Sequence, residues 1–538
     1  MADDTKTVAK TSDILPQAYE QLAPADETMI NNALQVFADL AQGNVPQNVA
    51  GFFKDPDTAK NIVYKSIQLP LQDLDDDVAQ HLPGGKPDSA TTITVALQQL
   101  IQAIDAKLSQ LLAQILHAKK FRELEGSWRG VKFLVSNSEV GTSLKIKVLS
   151  AKKDELRKDF EKSSDFDQSQ IFKKVYSDQY GSPGGEPFSI LVGDYFFGNN
   201  NHDLELLSQI REVSADAFAP FIAASDPGLF GFSEWSEVDK PVDLATIFDS
   251  VLYAQWNSMR EHPDARFVTL TMPRVLARGS YGALDQPIEK FAFEEQPLSN
   301  YPEASASKYA VPTGTDTFCW SNAAYYVAQR ITNAFAKYGW CTAIRGYENG
   351  GQVEDLPMHY FYNHKTGNVE SLCPTEAPLT DRREYEIDRL GFLSLSYYKN
   401  SNFAVFFGGQ TTQKPLKYDN PDATGNAALS ARLPYMLATS RIAHYLKMIG
   451  RDKVGSFLEL PDAQLWLDRW IAQYICADKF PTPEAKARYP LAEAKISVTP
   501  VPGAPGSYVA IAWLRPFLQF EELTTSLRLV VKIPASAA

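Results

Sequence analysis

The sequence predicts an α+β or mixed α/β protein of several domains, preceded by an N-terminal arm of short helices. Its 538 residues suffice for about three or four domains of ordinary size. The composition is 44% hydrophobic and 22% charged, which is typical of a folded chain and not of a disordered one. From residue 133 onward, β-type segments alternate with segments of helical periodicity, and this alternation predicts the mixed class.

Charge and cysteine content exclude several functional classes. There are 52 basic and 65 acidic residues, and the net charge of -13 has the wrong sign for general nucleic-acid binding. The cysteines Cys319, Cys341, Cys373 and Cys476 lie far apart, so neither a disulfide framework nor a zinc ribbon is expected. The start of the chain does not read as a secretory signal, and no apolar run is long enough to span a bilayer. We expect a cytoplasmic protein without membrane insertion.

The first two parts of the chain are helical in character. Residues 1–90 form a polar, proline-interrupted arm with one amphipathic pattern, Ala25–Leu40, for which a solvated tail is the alternative. Residues 91–120 carry the strongest helical pattern, because apolar side chains recur every three or four positions. These residues include Leu97, Ile101, Ile104, Leu108, Leu111 and Ile115. Such a face packs either on another chain, as a short coiled coil, or within its own.

The body, residues 121–433, alternates predicted strands and helices. The strands are Leu144–Leu149, Ser189–Val192 and Phe267–Leu270, followed by a hairpin of Ser394–Tyr398 and Phe403–Phe407. The helices are Asp154–Lys162, Asp203–Ala217, Thr246–Arg260 and Asn322–Lys337.

The last part, residues 434–538, opens with a predicted helix, Pro434–Ile449, that stops near Gly450. It continues with helix Asp462–Ile475, strands Lys495–Thr499 and Tyr508–Leu514, and a C-terminal strand. In that strand Leu527, Leu529, Val531 and Ile533 alternate with other residues. A terminal strand either pairs with the sheet edge of another subunit or completes its own sheet.

A basic face stands out in this acidic chain. Residues 427–455 hold five cations against Asp452, and the candidates for a functional surface are Arg432, Arg441, His444, Lys447 and Arg451. Several of them follow one another at helical spacing. One interpretation is a helix that docks on an acidic protein surface, and the other is a helix whose cations pair within the chain.

No catalytic or metal-binding signature accompanies these features. Phosphate-loop, H-E-x-x-H and G-x-S-x-G motifs are missing from the sequence. The nearest metal pattern is Cys341, His359, His364 and Cys373, whose spacing is permissive and not specific. We therefore expect no enzyme, no cofactor and no metal site. A hydrolase that uses Cys341, His359 or a pair of adjacent acids is the remaining enzymatic alternative.

A run of sequence motifs resembles the large sheath subunit of the type VI secretion system, the TssC/VipB family. The match extends over about residues 116–533. Its segments include Phe121–Val131 (FRELEGSWRGV), Val192–Tyr195 (VGDY), Thr271–Arg278 (TMPRVLAR), Ala336–Gly346 (AKYGWCTAIRG), Cys373–Glu376 (CPTE) and Ser430–Tyr435 (SARLPY).

The resemblance implies a structural subunit with a contractile tail-sheath-like fold. It implies heterodimers with the small sheath subunit (TssB/VipA), which polymerise with other copies around a tube of Hcp on a baseplate and contract to propel the tube. It further implies that the helix from Pro434 lies toward the tube, that the strand 527–533 is exchanged between subunits, and that residues 97–115 hold the small subunit. A ClpV-type ATPase is a possible partner of the N-terminal arm. A single-chain, phage-tail-like sheath is the structural alternative.

Overall fold

The computed structural model divides the chain into two units, residues 1–109 and 110–538. The structure describes residues 105, 108–182, 184–240, 242–282, 285–289, 291–295, 317–363, 368–399, 401–452, 460–478, 481–500, 508–517 and 527–533. The elements described below belong to the second unit.

Ten helices of six or more residues follow a helical stretch at residues 110–117 in the described part of this unit. They are α1 Lys119–Ser136, α2 Lys153–Lys162, α3 Asn201–Ala217, α4 Ala254–Glu261, α5 Ala324–Tyr338, α6 Asp381–Arg389, α7 Pro421–Ser430, α8 Leu433–Asp452, α9 Leu460–Ala472 and α10 Pro483–Arg488. Shorter helical turns occupy residues 166–180 and 227–253. None of the described helices combines the length and apolar character that a bilayer span requires.

A six-stranded mixed sheet organises the body. Its strands are β1 Leu191–Phe197, β2 Phe221–Ser225, β3 Val268–Met272, β9 Phe392–Tyr397, β10 Ala404–Phe406 and β6 Gln352–Val353, in that spatial order. The first four run parallel, and β10 pairs antiparallel with both β9 and β6. Successive residues of a strand point to opposite faces, so Phe221 and Ala223 join the core with α3, while Ile222 joins the core with α5. Both faces of the sheet are therefore covered.

Three smaller sheets complete the described part of the unit. Two are short pairs, β4 Val275–Leu276 with β5 Trp320–Ser321 and β7 Tyr360–Asn363 with β8 Asn368–Ser371. The third contains β11 Leu491–Pro500, β12 Tyr508–Pro516 and β13 Leu527–Ile533, all antiparallel. The third sheet shares an apolar core with α8 and α9, in which Ile442, Leu446 and Leu467 are buried.

Most predicted elements are confirmed. The helices at 154–162, 203–217, 322–337 and 462–475 correspond to α2, α3, α5 and α9, and the predicted hairpin is β9–β10. The strands beginning at 189, 267, 495, 508 and 527 are found as β1, β3, β11, β12 and β13, with shifted ends. The amphipathic pattern at 25–40 lies outside the described residues.

Three predictions were wrong in detail. The helix predicted over 246–260 is broken, because the Ser250 side chain accepts a hydrogen bond from the amide of Leu252 and starts a new turn there. Helix α8 continues past Gly450 to Asp452, since that glycine is buried and the next residue, Arg451, is hydrogen-bonded to the body. Residues 144–149 contain no helix, turn or bend, so the chain is extended there, as predicted, but they belong to no sheet of the described residues.

Candidate functional site

Helix α1 approaches the body closely because two small residues lie on its inner face. A Cβ atom at Gly126 would lie 2.1 Å from the carbonyl oxygen of Trp320, and one at Gly130 would lie 2.4 Å from the ring of Tyr325. Both glycines belong to the FRELEGSWRGV motif. The spacing of four residues therefore places one continuous inner face of α1 against β5 and α5.

A buried ion network fixes α1 in place. The Arg278 guanidinium donates hydrogen bonds to Glu125 of α1, at 2.7 Å, and to both carboxylate oxygens of Glu295, at 2.6 and 2.8 Å. Burial opposes ionisation of Glu295, but hydrogen bonds from His117 and Arg278 outweigh it and lower its pKa to about 2. Two segments of the resemblance, around Glu125 and Arg278, thus meet in one contact that holds α1.

The outer side of this region is an exposed apolar surface, here called the apolar stripe. Its members are large exposed hydrophobic side chains of two consecutive helical pieces, residues 110–117 and α1, which the non-helical Ala118 separates: Leu112, Ile115, Phe121, Leu124, Trp128 and Val135. Of the six residues predicted to contact a partner, Leu108 and Ile115 are exposed and Leu111 is half-buried. The other three, Leu97, Ile101 and Ile104, lie outside the described residues.

Helix α8 binds the C-terminal ends of helical elements in the body through its polar face. The guanidinium of Arg441 donates to the carbonyl of Gly339, directly after α5, at 2.8 Å. The ammonium group of Lys447 donates to the backbone carbonyl of Asp216, and Nε2 of His444 contacts the backbone carbonyl of Ala217, both at 3.0 Å. Both carbonyls lie in the last turn of α3. Arg451 donates to Ser182, just after the helical turns at 170–180, at 3.1 Å. Helix C-termini leave carbonyls unpaired and carry partial negative charge, so these donors stabilise them.

Aromatic rings surround the same cations. The ammonium group of Lys447 lies 4.8, 4.9 and 4.5 Å from the ring centroids of Tyr176, Tyr180 and Phe218. The Arg441 guanidinium lies 4.7 Å from the ring centroid of Phe335. Burial lowers the pKa of Lys447 to about 8, and Asp216 partly opposes this effect.

The predicted basic surface is thus engaged within the chain. Arg441, His444, Lys447 and Arg451 contact carbonyl oxygens of the body, and Arg432 pairs through its backbone with Gln410 in an isolated bridge. These contacts favour the alternative in which the cations serve the fold, although their hydrogen-bond partners are backbone carbonyls, and Asp216 is an acid close enough to interact electrostatically with Lys447. A role for the five residues at a tube stays a prediction.

The C-terminal strand pairs with this chain's own sheet. Backbone pairing joins Leu527, Leu529, Val531 and Ile533 of β13 to Leu514, Ala512, Ala510 and Tyr508 of β12. β13 is the edge strand of the three-stranded sheet. Intrachain pairing and an edge position are both compatible with strand exchange, which stays a prediction.

A groove of about 720 Å³ opens on the body between α1, residues 142–151 and α5, and it extends to α8. Its lining is largely apolar and includes Trp128, Ile146, Val192 and Tyr325. Trp128 also belongs to the apolar stripe, so the groove and the stripe are continuous. No signal in the sequence indicated this groove.

The described residues contain no group of three or more His, Cys, Asp or Glu side chains arranged to hold a metal. His359 lies 3.5 Å from Asp285, Cys373 contacts the Thr375 hydroxyl, and His364 lies outside the described residues. Burial raises the pKa of the Cys341 thiol to about 11, so the thiol is protonated at neutral pH.

Comparison with known proteins defines the class of this fold. A family model described as EvpB/VC_A0108, tail sheath N-terminal domain, matches residues 98–413, and one described as tail sheath gpW/gp25-like domain matches residues 422–533. The molecule is a tail sheath protein. It is also 47% identical, over 444 residues, to the type VI secretion system sheath protein TssC1 of Pseudomonas aeruginosa strain PAO1. That match covers 82% of this chain and 86% of the relative.

The chain therefore belongs to the VipB/EvpB family of type VI secretion sheath proteins. The resemblance identified from sequence motifs is confirmed. Its physical basis is visible in part, because several of those motifs supply the glycine contacts of α1, the Glu125–Arg278 pair and the start of α8.

Proposed function

We propose that this chain is the large subunit of a cytoplasmic contractile sheath and has no catalytic activity. It forms heterodimers with the small sheath subunit (TssB/VipA), and the heterodimers polymerise around an Hcp tube on a baseplate. Contraction moves rigid subunits into a tighter lattice and drives the tube outward. The apolar stripe carries this proposal, since large exposed apolar patches mark protein–protein contacts.

The small subunit covers the apolar stripe in this proposal. Residues Leu97, Ile101, Ile104, Leu108, Leu111 and Ile115 continue the same helical pattern and extend the contact toward the N-terminus. The strand 527–533 joins neighbouring subunits, and the region of α8 faces the tube. A ClpV-type ATPase is a candidate partner of the arm at residues 1–90, which carries no motif that assigns it.

Co-purification tests the heterodimer. Leu112→Asp combined with Ile115→Asp places two charges in the stripe, and both positions are exposed, so the chain should stay folded. We expect the double variant to lose the small subunit while remaining soluble. Val251→Asp is the matched control, because Val251 is 89% exposed and lies far along the chain from the stripe. Equal recovery of the small subunit with both proteins would contradict the assignment.

Electron microscopy tests the polymer. Hollow tubules should appear when this chain is co-expressed with the small subunit and not when it is expressed alone. Tubules from this chain alone would instead support the single-chain, phage-tail-like sheath. Discrete particles in both samples would contradict both sheath proposals.

A further inference from the structure

Residues 144–149 (LKIKVL) are an extended segment without a strand partner. They belong to none of the sheets of the described chain. Among the residues that the structure describes, no main-chain N–H or C=O group of residues 145–150 has a hydrogen-bond partner. An extended segment with open main-chain groups can accept another strand.

Side chains hold this segment in its extended form. Lys145 pairs with Glu186, and the hydroxyl of Tyr195 donates to the carbonyl of Ala151 at 2.7 Å. Further along, Lys153 donates to the carbonyl of Phe196, also at 2.7 Å. The segment therefore runs in the same direction as residues 186–196. Side chains bridge the two segments, and no main-chain hydrogen bond joins them among the described residues. These contacts at its two ends restrict the segment before any partner arrives, which reduces the entropy lost on binding.

The segment also leaves apolar side chains in solvent beside the groove. Val148 is 67% exposed and Leu149 is 56% exposed, whereas Ile146 packs against the body core. All three line the groove. A strand added here would cover apolar side chains and satisfy main-chain groups at the same time.

Charge and continuity indicate what the added strand carries. Lys145 and Lys147 are both half exposed and share the single carboxylate of Glu186, at 3.9 Å from the Lys147 ammonium group. A strand in which acidic residues alternate with apolar ones complements this pattern. Because Trp128 belongs both to the groove and to the apolar stripe, one partner can cover both surfaces.

We propose that a β-strand of the small sheath subunit, with acidic residues alternating with apolar ones, adds to residues 144–149 and covers the groove. This inference rests on the proposed heterodimer. It adds a second contact of a different kind, in which main-chain hydrogen bonds provide register and Val148 and Leu149 provide apolar contact.

Hydrogen–deuterium exchange of the full chain, alone and in the co-purified heterodimer, tests the proposal. The amides of residues 145–150 should exchange rapidly in the free chain and at least about 100-fold more slowly in the heterodimer. The amides of Leu416 and Lys417, which also have no hydrogen-bond partner among the described residues, serve as the internal control and should not change. A heterodimer in which the amides of 145–150 still exchange rapidly overturns strand addition and leaves the heterodimer standing.

Two further outcomes separate the proposals. Failure of the wild-type chain to bind the small subunit contradicts the heterodimer, and strand addition with it. Protection of residues 145–150 in concentrated samples of this chain alone identifies a second copy as the occupant and overturns the assignment to the small subunit.

In the wild-type background, Val148→Asp should weaken heterodimer binding at least about tenfold, while Val251→Asp should not.

Discussion

Helices α1 and α8 are the two longest described helices, but they differ in exposure: no residue of α8 from Leu433 to Arg451 is exposed, whereas α1 carries a row of exposed apolar side chains. The polar face of α8 is engaged within the chain, where its donors bind the carbonyls of Gly339, Asp216 and Ser182. Helix α1 is fixed by its inner face and leaves the apolar stripe in solvent. The difference teaches that a cluster of cations can stabilise the fold from within, whereas the exposed apolar stripe is accessible to a partner.

Loss of the α1 anchor should give the largest change in stability. Arg278→Met leaves Glu295 buried without its guanidinium partner and Glu125 with Arg129 alone, and we expect a loss of about 3–5 kcal/mol in the free energy of unfolding. Urea unfolding of the full chain measures it. Arg382→Met removes an exposed pair with Glu386 and should cost less than about 0.5 kcal/mol. Equal losses in the two variants would show that the network does not hold α1.

The joint made by α8 should weaken in acid. Burial lowers the pKa of His444 to about 4, and Lys447 and Arg441 add to this effect. Between about pH 6.5 and pH 4 the unfolded chain therefore binds a proton that the folded chain does not, so stability falls as the pH falls, by at most about 3 kcal/mol. His444→Gln should remove this part of the pH dependence in urea unfolding. His202→Gln, at an exposed position, should leave it unchanged, and a slope that is identical in all three proteins would argue against the prediction.

Single cations of α8 should contribute less. Arg441→Gln removes the hydrogen bond to Gly339 and the contact with the Phe335 ring, and we expect a loss of about 1–2 kcal/mol. Arg488→Gln, which breaks an exposed pair with Glu484, provides the control and should cost less than about 0.5 kcal/mol. If Arg441→Gln left the free energy of unfolding unchanged, Arg441 would not be needed for the fold, and the predicted role of its side chain at the tube would gain support.

The apolar stripe should show the smallest effect on stability and a clear effect on binding. Trp128 is 62% exposed, so Trp128→Gln should change the free energy of unfolding by less than about 0.5 kcal/mol. The same variant should weaken binding of the small subunit at least about tenfold, as measured by titration of the purified proteins. A large loss of stability would show that α1 uses this face within the chain.

The sequence predicts the elements of this fold better than it predicts their use. Periodicity is local, and it located α3, α5 and β9–β10 correctly. The functions of the α8 cations could not be predicted in the same way, because their partners are backbone carbonyls 100 or more residues away, such as the 102 positions between Arg441 and Gly339. Backbone carbonyls have no sequence signature.

The sequence could not predict, for a related reason, that residues 144–149 have no strand partner in the described chain. Alternation of Leu144, Lys145, Ile146 and Lys147 indicates a strand, but it does not say whether a partner strand comes from the same chain. Likewise, Glu125 and Arg278 occur in two recognisable motifs, and only the fold shows that these residues meet. Sequence motifs therefore identified the family, while the contacts between distant segments and the exposed surfaces required the structure.

Several helical elements of the body end against α8, and this arrangement has a mechanical consequence. A tilt of α8 against the body would break hydrogen bonds to the ends of α3, α5 and the turns at 170–180 together. Such a deformation costs more free energy than sliding at a surface between subunits. The body and the C-terminal sheet are therefore expected to move as one rigid block, which would place the displacement of the proposed contraction at the boundaries between blocks.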